Sequence, residues 1–245
     1  MRFDRRYELN NKGLSLVELI VAISIGVIVS GAIAALLTFS INMYRDESAN
    51  VSAQYELQTN INQIMDTIMG ANCVVIQKAA SADMNGKYTE YAAFGKFDKT
   101  TKKFDGVIFV ASTPVSGRFN IYMDRGIWSK TGADTALAVV DDRYKTIKAT
   151  FPVAGPNAYL LGEGSTQFRI EMKKKKSPTE AAYPYVNIES TGYVNPLSVE
   201  VELNVQKDAT GKKVNKHVKD EAFIRNKLST PIYIDGIEYD LDKSK

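Results

Sequence analysis

From Leu14 to Ile41 the chain runs for 28 residues with Glu18 as its only charged side chain. Coiled as a helix, that stretch is about 42 Å long, against a bilayer hydrocarbon core of about 30 Å. It exceeds the roughly 7–15 residues of a signal-peptide apolar region. A carboxylate at the head of such a segment is costly and calls for a reason. Ahead of it, Arg2, Arg5, Arg6 and Lys12 outnumber Asp4 and Glu8 by two. Basic flanks stay in the cytoplasm, so the rest of the chain is expected to face outward.

The helical pattern continues beyond the apolar run. Val51, Tyr55, Gln58, Ile61, Ile64, Met65 and Ile68 recur at steps of three or four, and polar residues such as Arg45, Asp46, Glu47, Asn60 and Asn62 fill the gaps. The spacing predicts one helix over residues 14–70, of which 14–41 is the membrane-spanning part. The second half is expected to lay its apolar row on a globular domain. Along the first half, Ala22, Gly26, Ser30 and Ala34 form a row of small residues that lets helices approach closely. Gly26 and Gly31 each weaken the helix by about 1 kcal/mol relative to alanine.

Past residue 71 the period becomes two. Phe119, Ile121 and Met123 alternate with polar neighbours, as do Phe168, Ile170 and Met172, and Val199, Val201, Leu203 and Val205. Each reads as a strand with one buried face. The unbroken run Val107–Val110 predicts a central strand, and Ile147, Ala149 and Phe151 a shorter one. Turn-rich joints such as Asp83-Met84-Asn85-Gly86 and Gly162-Glu163-Gly164 fit antiparallel connections. The expected fold is α+β: a long N-terminal helix packed on an antiparallel sheet domain spanning 71–245.

Composition removes several function classes. Net charge is +3, and the first 13 residues carry +2 of it, so the body is nearly neutral and offers no electrostatic case for nucleic acid. The run Lys173-Lys174-Lys175-Lys176 lacks interleaved aromatics and reads as a solvated strand end rather than a DNA or surface-ligand patch. Lys96, Lys99, Lys102 and Lys103 surround an expected hairpin. Neither Asp83-Met84-Asn85-Gly86 nor Asp141-Asp142 continues into a calcium-ligand pattern. The single histidine, His217, sits in a polar stretch with no nucleophile motif and is expected in solvent. The single cysteine, Cys73, stands beside Val74, Val75 and Ile76 and is expected to be a buried thiol. No catalytic, metal or cofactor residues are assigned, and the chain is expected not to be an enzyme.

The stretch Gly13-Leu14-Ser15-Leu16-Val17-Glu18-Leu19 resembles the class III signal of type IV prepilins and pseudopilins. That resemblance implies that a prepilin peptidase cuts after Gly13, removing a leader of residues 1–13, and that Leu14 becomes the N-methylated first residue. It makes Glu18 the assembly glutamate and other pilin or pseudopilin subunits the partners. It implies a single-pass protein of the cytoplasmic membrane that later joins a surface filament, of a pilus, a type II secretion system or a DNA-uptake system. Ala35 stands where many major pilins have proline, and the chain left after Gly13 is long for a major pilin. Both features resemble PilW-like minor pilins or J-type pseudopilins, and Ala222-Phe223-Ile224-Arg225-Asn226 resembles the last strand of that group.

Two other readings make different predictions. A secreted protein cut at Ala32-Ile33-Ala34 would begin near Ala35, and an uncut membrane-anchored ligand-binding domain would retain Met1.

Overall fold

The computed structural model describes residues 15–79, 88–112, 115–150, 158–174, 197–210, 212–224 and 232–239. The chain divides into two compact units, Met1–Glu47 and Ser48–Lys245. Helix α1 (Leu16–Gly70) begins in the first and ends in the second. In the first unit the described residues are almost all exposed, with Leu16, Ile28 and Leu36 among the most open side chains. This part of α1 contains an 18-residue window of mean hydropathy 2.6, long and apolar enough to cross a membrane.

Among the described residues the second unit forms one nine-stranded sheet. Its strands are β1 (Cys73–Lys78), β2 (Thr89–Asp98), β3 (Lys103–Ala111), β4 (Phe119–Ser129), β5 (Ala158–Lys174), β6 (Leu197–Ala209), β7 (Lys212–Phe223), β8 (Ile232–Ile234) and β9 (Ile237–Tyr239). The order is β7-β6-β5-β4-β3-β2-β1-β8-β9, so the apolar run Val107–Val110 lies on the central strand. Neighbours are antiparallel except β1 and β8, which run parallel through Val75–Tyr233 and Ile76–Ile234.

The expected turn at Gly162-Glu163-Gly164 is instead a bend inside β5. Gly164 takes φ +65, the left-handed region that glycine tolerates, and the strand continues. The first half of β5 pairs with β4 and the second with β6, changing over at Ser165. The sheet curls there enough for Tyr88 to bridge Phe168 in parallel, while the Thr89 hydroxyl accepts from the Ile170 amide at 2.9 Å.

One face of the sheet packs on α1. Leu57, Ile61, Ile64 and Ile68 meet Val74, Phe94, Phe109, Ile121, Phe168, Val201 and Leu203 in one cluster. The buried row of α1 is Ala53, Leu57, Asn60, Ile61, Ile64 and Ile68. Val51 and Tyr55, expected in that row, are 57% and 74% exposed. At 100° per residue each three-residue step falls about 60° short of a turn, so three successive threes from Tyr55 to Ile64 cross to the opposite side of the helix.

The other face, over β1 to β4, is covered by α2 (Ala136–Ala149). This corrects the strand expected at Ile147, Ala149 and Phe151; Phe151 lies outside the described residues. The Thr135 hydroxyl caps the helix by accepting from the Ala138 amide at 3.2 Å. Ala136, Val139, Val140, Tyr144 and Ile147 then bury one stripe against Cys73, Val75, Tyr91 and Ile108. Arg143 Nε donates to Asp124 Oδ2 at 2.6 Å, with Asp124 only 1% exposed, and its guanidinium lies 5.9 Å from the Trp128 ring centre. Burial pushes the Tyr144 phenol well above its ordinary pKa, and its hydrogen bond to Glu90 adds to the rise.

Three glycines sit in register across the middle of the sheet: Gly95 opposite Gly106, and Gly106 opposite Gly126. A Cβ on Gly106 would stand 2.4 Å from the Phe94 carbonyl oxygen and 2.7 Å from Gly95 Cα. Both atoms are backbone of β2, and the fully buried Phe104 ring stands 2.8 Å away, so little is free to move aside. Gly106→Ala is expected to destabilise the sheet domain by about 1–3 kcal/mol, read as a lowered urea midpoint of the full chain in detergent.

Candidate functional site

Gly13 and Leu14 lie outside the described residues, and Ser15 is the first of them. Ser15 is not yet helical; its carbonyl accepts the Leu19 amide at 3.1 Å, which marks it as the cap of α1. Its hydroxyl accepts from the Glu18 amide at 3.2 Å, and Glu18 Oε2 accepts from the Ser15 amide at 2.9 Å. This reciprocal pair is a capping box, satisfying two amides that the first turn of a helix otherwise leaves without partners. The carboxylate also sits in the first turn, where the helix dipole favours negative charge. Glu18 is thus held pointing back toward the chain's start through Oε2. Sequence reasoning singled out Glu18 but passed over Ser15, although S-x-x-E is a legible cap signature.

Farther along, two hydroxyls inside the apolar run are satisfied by the helix itself. The Ser24 hydroxyl donates to the Ile20 carbonyl at 2.8 Å, and the Thr38 hydroxyl to the Ala34 carbonyl at 2.9 Å. In hydrocarbon an unpaired hydroxyl costs several kcal/mol, which these bonds offset, and Glu18 remains the one charged side chain in the run. A Cβ on Gly26 or Gly31 would meet nothing within 4 Å, so the row Ala22, Gly26, Ser30 and Ala34 is open to a neighbour.

The second half of α1 is pinned to the sheet by more than apolar contact. Lys207 Nζ lies 2.5 Å from Glu56 Oε2 and 3.2 Å from the Ser52 hydroxyl, and Glu56 Oε1 accepts from the Glu163 amide at 3.2 Å. On the side of the helix away from the sheet, Val51 and Tyr55 stay exposed.

The remaining residues singled out from sequence fall into structural roles. Cys73 is fully buried beside Val75. His217 is exposed, as expected; it lies in strand β7, with Nε2 2.8 Å from Glu202 Oε1. It joins a lattice in which Arg169 Nη2 lies 2.8 Å from Glu202 Oε2 and Lys219 Nζ 2.8 Å from Glu200 Oε1. Asp141 and Asp142, on α2, pair with Lys145 and Lys130. Lys96 lies two residues before the end of β2, Lys103 begins β3, and Lys99 and Lys102 stand in the turn between them, where Lys102 pairs with Asp134. Lys173 and Lys174 end β5, while Lys175 and Lys176 fall outside the described residues, as does Asp83-Met84-Asn85-Gly86. Ala222 and Phe223 close β7 and Ile224 is buried, while Arg225 and Asn226 are outside the described residues. Among the described residues no group of three or more His, Cys, Asp or Glu is arranged to hold a metal ion.

A family model described as the prokaryotic N-terminal methylation motif matches residues 9–34. The chain therefore carries a type IV prepilin-like class III signal, in front of an apolar helix and an α+β domain. The motif supports a processed, pilin-like precursor and implies assembly with other pilin subunits. No curated protein and no solved structure matches the chain.

Proposed function

We propose that this chain is a structural subunit, a minor pilin or pseudopilin, of a type IV pilus or type II secretion-like filament. In this reading a prepilin peptidase removes residues 1–13 after Gly13 and methylates the new amine of Leu14. Residues 14–41 hold the subunit in the cytoplasmic membrane and later enter the filament core. Residues 71–245 are the part displayed at the surface.

The observation that carries the reading is the capping box at Ser15 and Glu18, which fixes one carboxylate at the membrane-entering end of an otherwise apolar helix. Among packed apolar helices an uncompensated carboxylate costs several kcal/mol. The positive amine of Leu14 on a neighbouring subunit is the counter-charge that processing creates. Because each subunit has one such amine and one such carboxylate, their pairing sets the axial register of one subunit on the next. The open row of small residues allows the close helix approach this requires. Exposed Val51 and Tyr55 supply further apolar surface on the side of α1 away from the sheet. The test is the mass of the mature N-terminus: a chain beginning at Leu14 with one added methyl supports the reading, and one beginning at Met1 or near Ala35 rejects it.

A further inference from the structure

Helix α1 does not cover its side of the sheet along the whole length of the strands. It ends at Gly70, and the chain passes through Ala71 and Asn72 into β1, whose first pair is Cys73 with Gly95. β2, β3 and β4 run on beyond that pair and carry side chains past the end of the helix. Phe94 and Val107 lie in the cluster under α1, and Met123 packs against it. Side chains two residues apart on a strand share a face. Lys96, Asp105 and Arg125 therefore stand on the α1 side, and so does Tyr159, which is opposite Met123 in the β4–β5 register.

A groove of about 760 Å³ results, with these four side chains and Met123 on the sheet side and Gln63 on the helix side. That volume is in the range of small-ligand sites. The Tyr159 ring is 65% exposed. Lys96 and Asp105 are direct partners in the β2–β3 register and both are exposed, yet no ion pair joins them. Arg125 is exposed too, and none of these three side chains has a hydrogen bond or ion pair among the described residues. The groove thus holds two free cations, with one free carboxylate on the strand between them, beside an open aromatic ring.

We propose that this groove binds a stretch of acidic polysaccharide, a sugar chain bearing uronate carboxylates. The C–H face of a sugar carries slight positive charge and lies on the negative face of the Tyr159 ring. The carboxylates of the chain pair with Lys96 and Arg125, and the guanidinium offers a planar, two-pronged donor. Sugar hydroxyls donate to Asp105 and both donate to and accept from the Gln63 amide. Asp105 is what separates one kind of anion from another. An ionised carboxylate only accepts hydrogen bonds, so its ligand must bring donors. A phosphate chain brings none and is repelled by it. Single-stranded nucleic acid is held by successive bases on several aromatic rings along a basic groove, and this groove has one ring. The inference goes beyond the filament-subunit reading: it assigns a ligand to the sheet domain and holds whichever way the N-terminus is processed.

The full chain in detergent is titrated with oligomers of galacturonate, mannuronate and hyaluronate, and binding is read by saturation-transfer NMR. At least one of the three is expected to bind, and its carboxyl-reduced form to bind about tenfold more weakly. Tyr159→Ala and Arg125→Gln are each expected to weaken binding about tenfold, while Lys213→Gln, outside the groove, leaves it unchanged. All three side chains are exposed, so each variant is expected to keep the parent's urea midpoint. Asp105→Ala is expected to weaken uronate binding and to strengthen that of polyphosphate. Three results overturn the proposal: no uronate oligomer binds; polyphosphate, single-stranded DNA or polyglutamate binds the parent chain as tightly as the best uronate; or the Tyr159 and Arg125 variants, folded like the parent, bind like it.

Discussion

Glu18→Ala is expected to leave removal of residues 1–13 intact and to cut recovery of the protein in filaments at least tenfold. The two halves of that result have separate causes. In the proposed function, cleavage after Gly13 takes place on the cytoplasmic side, before any contact between subunits forms, and incorporation needs the carboxylate opposite a neighbour's amine. Removing one partner of a buried pair leaves the other charge uncompensated, at about 3–5 kcal/mol per contact. Loss of the capping box adds about 1 kcal/mol, because the Ser15 amide loses its acceptor. Glu18→Gln separates the contributions: an amide oxygen still accepts from that amide, but its charge is gone. If Glu18→Gln assembles as well as the parent chain, the charge pairing is wrong and capping alone explains the glutamate.

Asp124→Ala is expected to lower the stability of the sheet domain by about 3 kcal/mol, measured as a urea midpoint with unchanged slope. Asp124 is buried and holds Arg143 at 2.6 Å, tying α2 to β4. The other carboxylate oxygen, Oδ1, has no hydrogen-bond partner among the described residues, so the pair does not recover the full cost of its own burial. Truncating the aspartate strands the guanidinium over Trp128. Replacing both partners, Asp124→Leu with Arg143→Met, is therefore expected to recover most of the loss. A single-variant loss below about 1 kcal/mol would show that Arg143 swings to solvent without cost, and that α2 is held by its apolar stripe instead.

The long helix and the alternating strands were legible because their signals are local. An unbroken apolar run and period-two stretches such as Val199–Val205 need no knowledge of partners. What escaped depended on distance or on mixed signals. β8 is three residues long and pairs in parallel with β1 from more than 150 residues away, so nothing near Ile232 announces it. α2 hides its stripe among Asp141, Asp142, Arg143 and Lys145, whose partners stand on β4, on a loop and on its own next turn. The side of α1 that faces the sheet was misjudged for a reason of its own: the helix is apolar on two sides at Val51 and Tyr55, and only the sheet chooses between them. At the candidate site the identity of Glu18 was plain, while the role of Ser15 emerged from the bond geometry.

The claim at the centre is that the chain is cut after Gly13 and carries a modified Leu14 into assembly. Intact-mass and N-terminal peptide analysis of the protein recovered from membranes and from sheared filaments measures this directly. The account predicts one species in both fractions, starting at Leu14 and heavier by a single methyl group. A species retaining Met1, or one starting near Ala35, would contradict it.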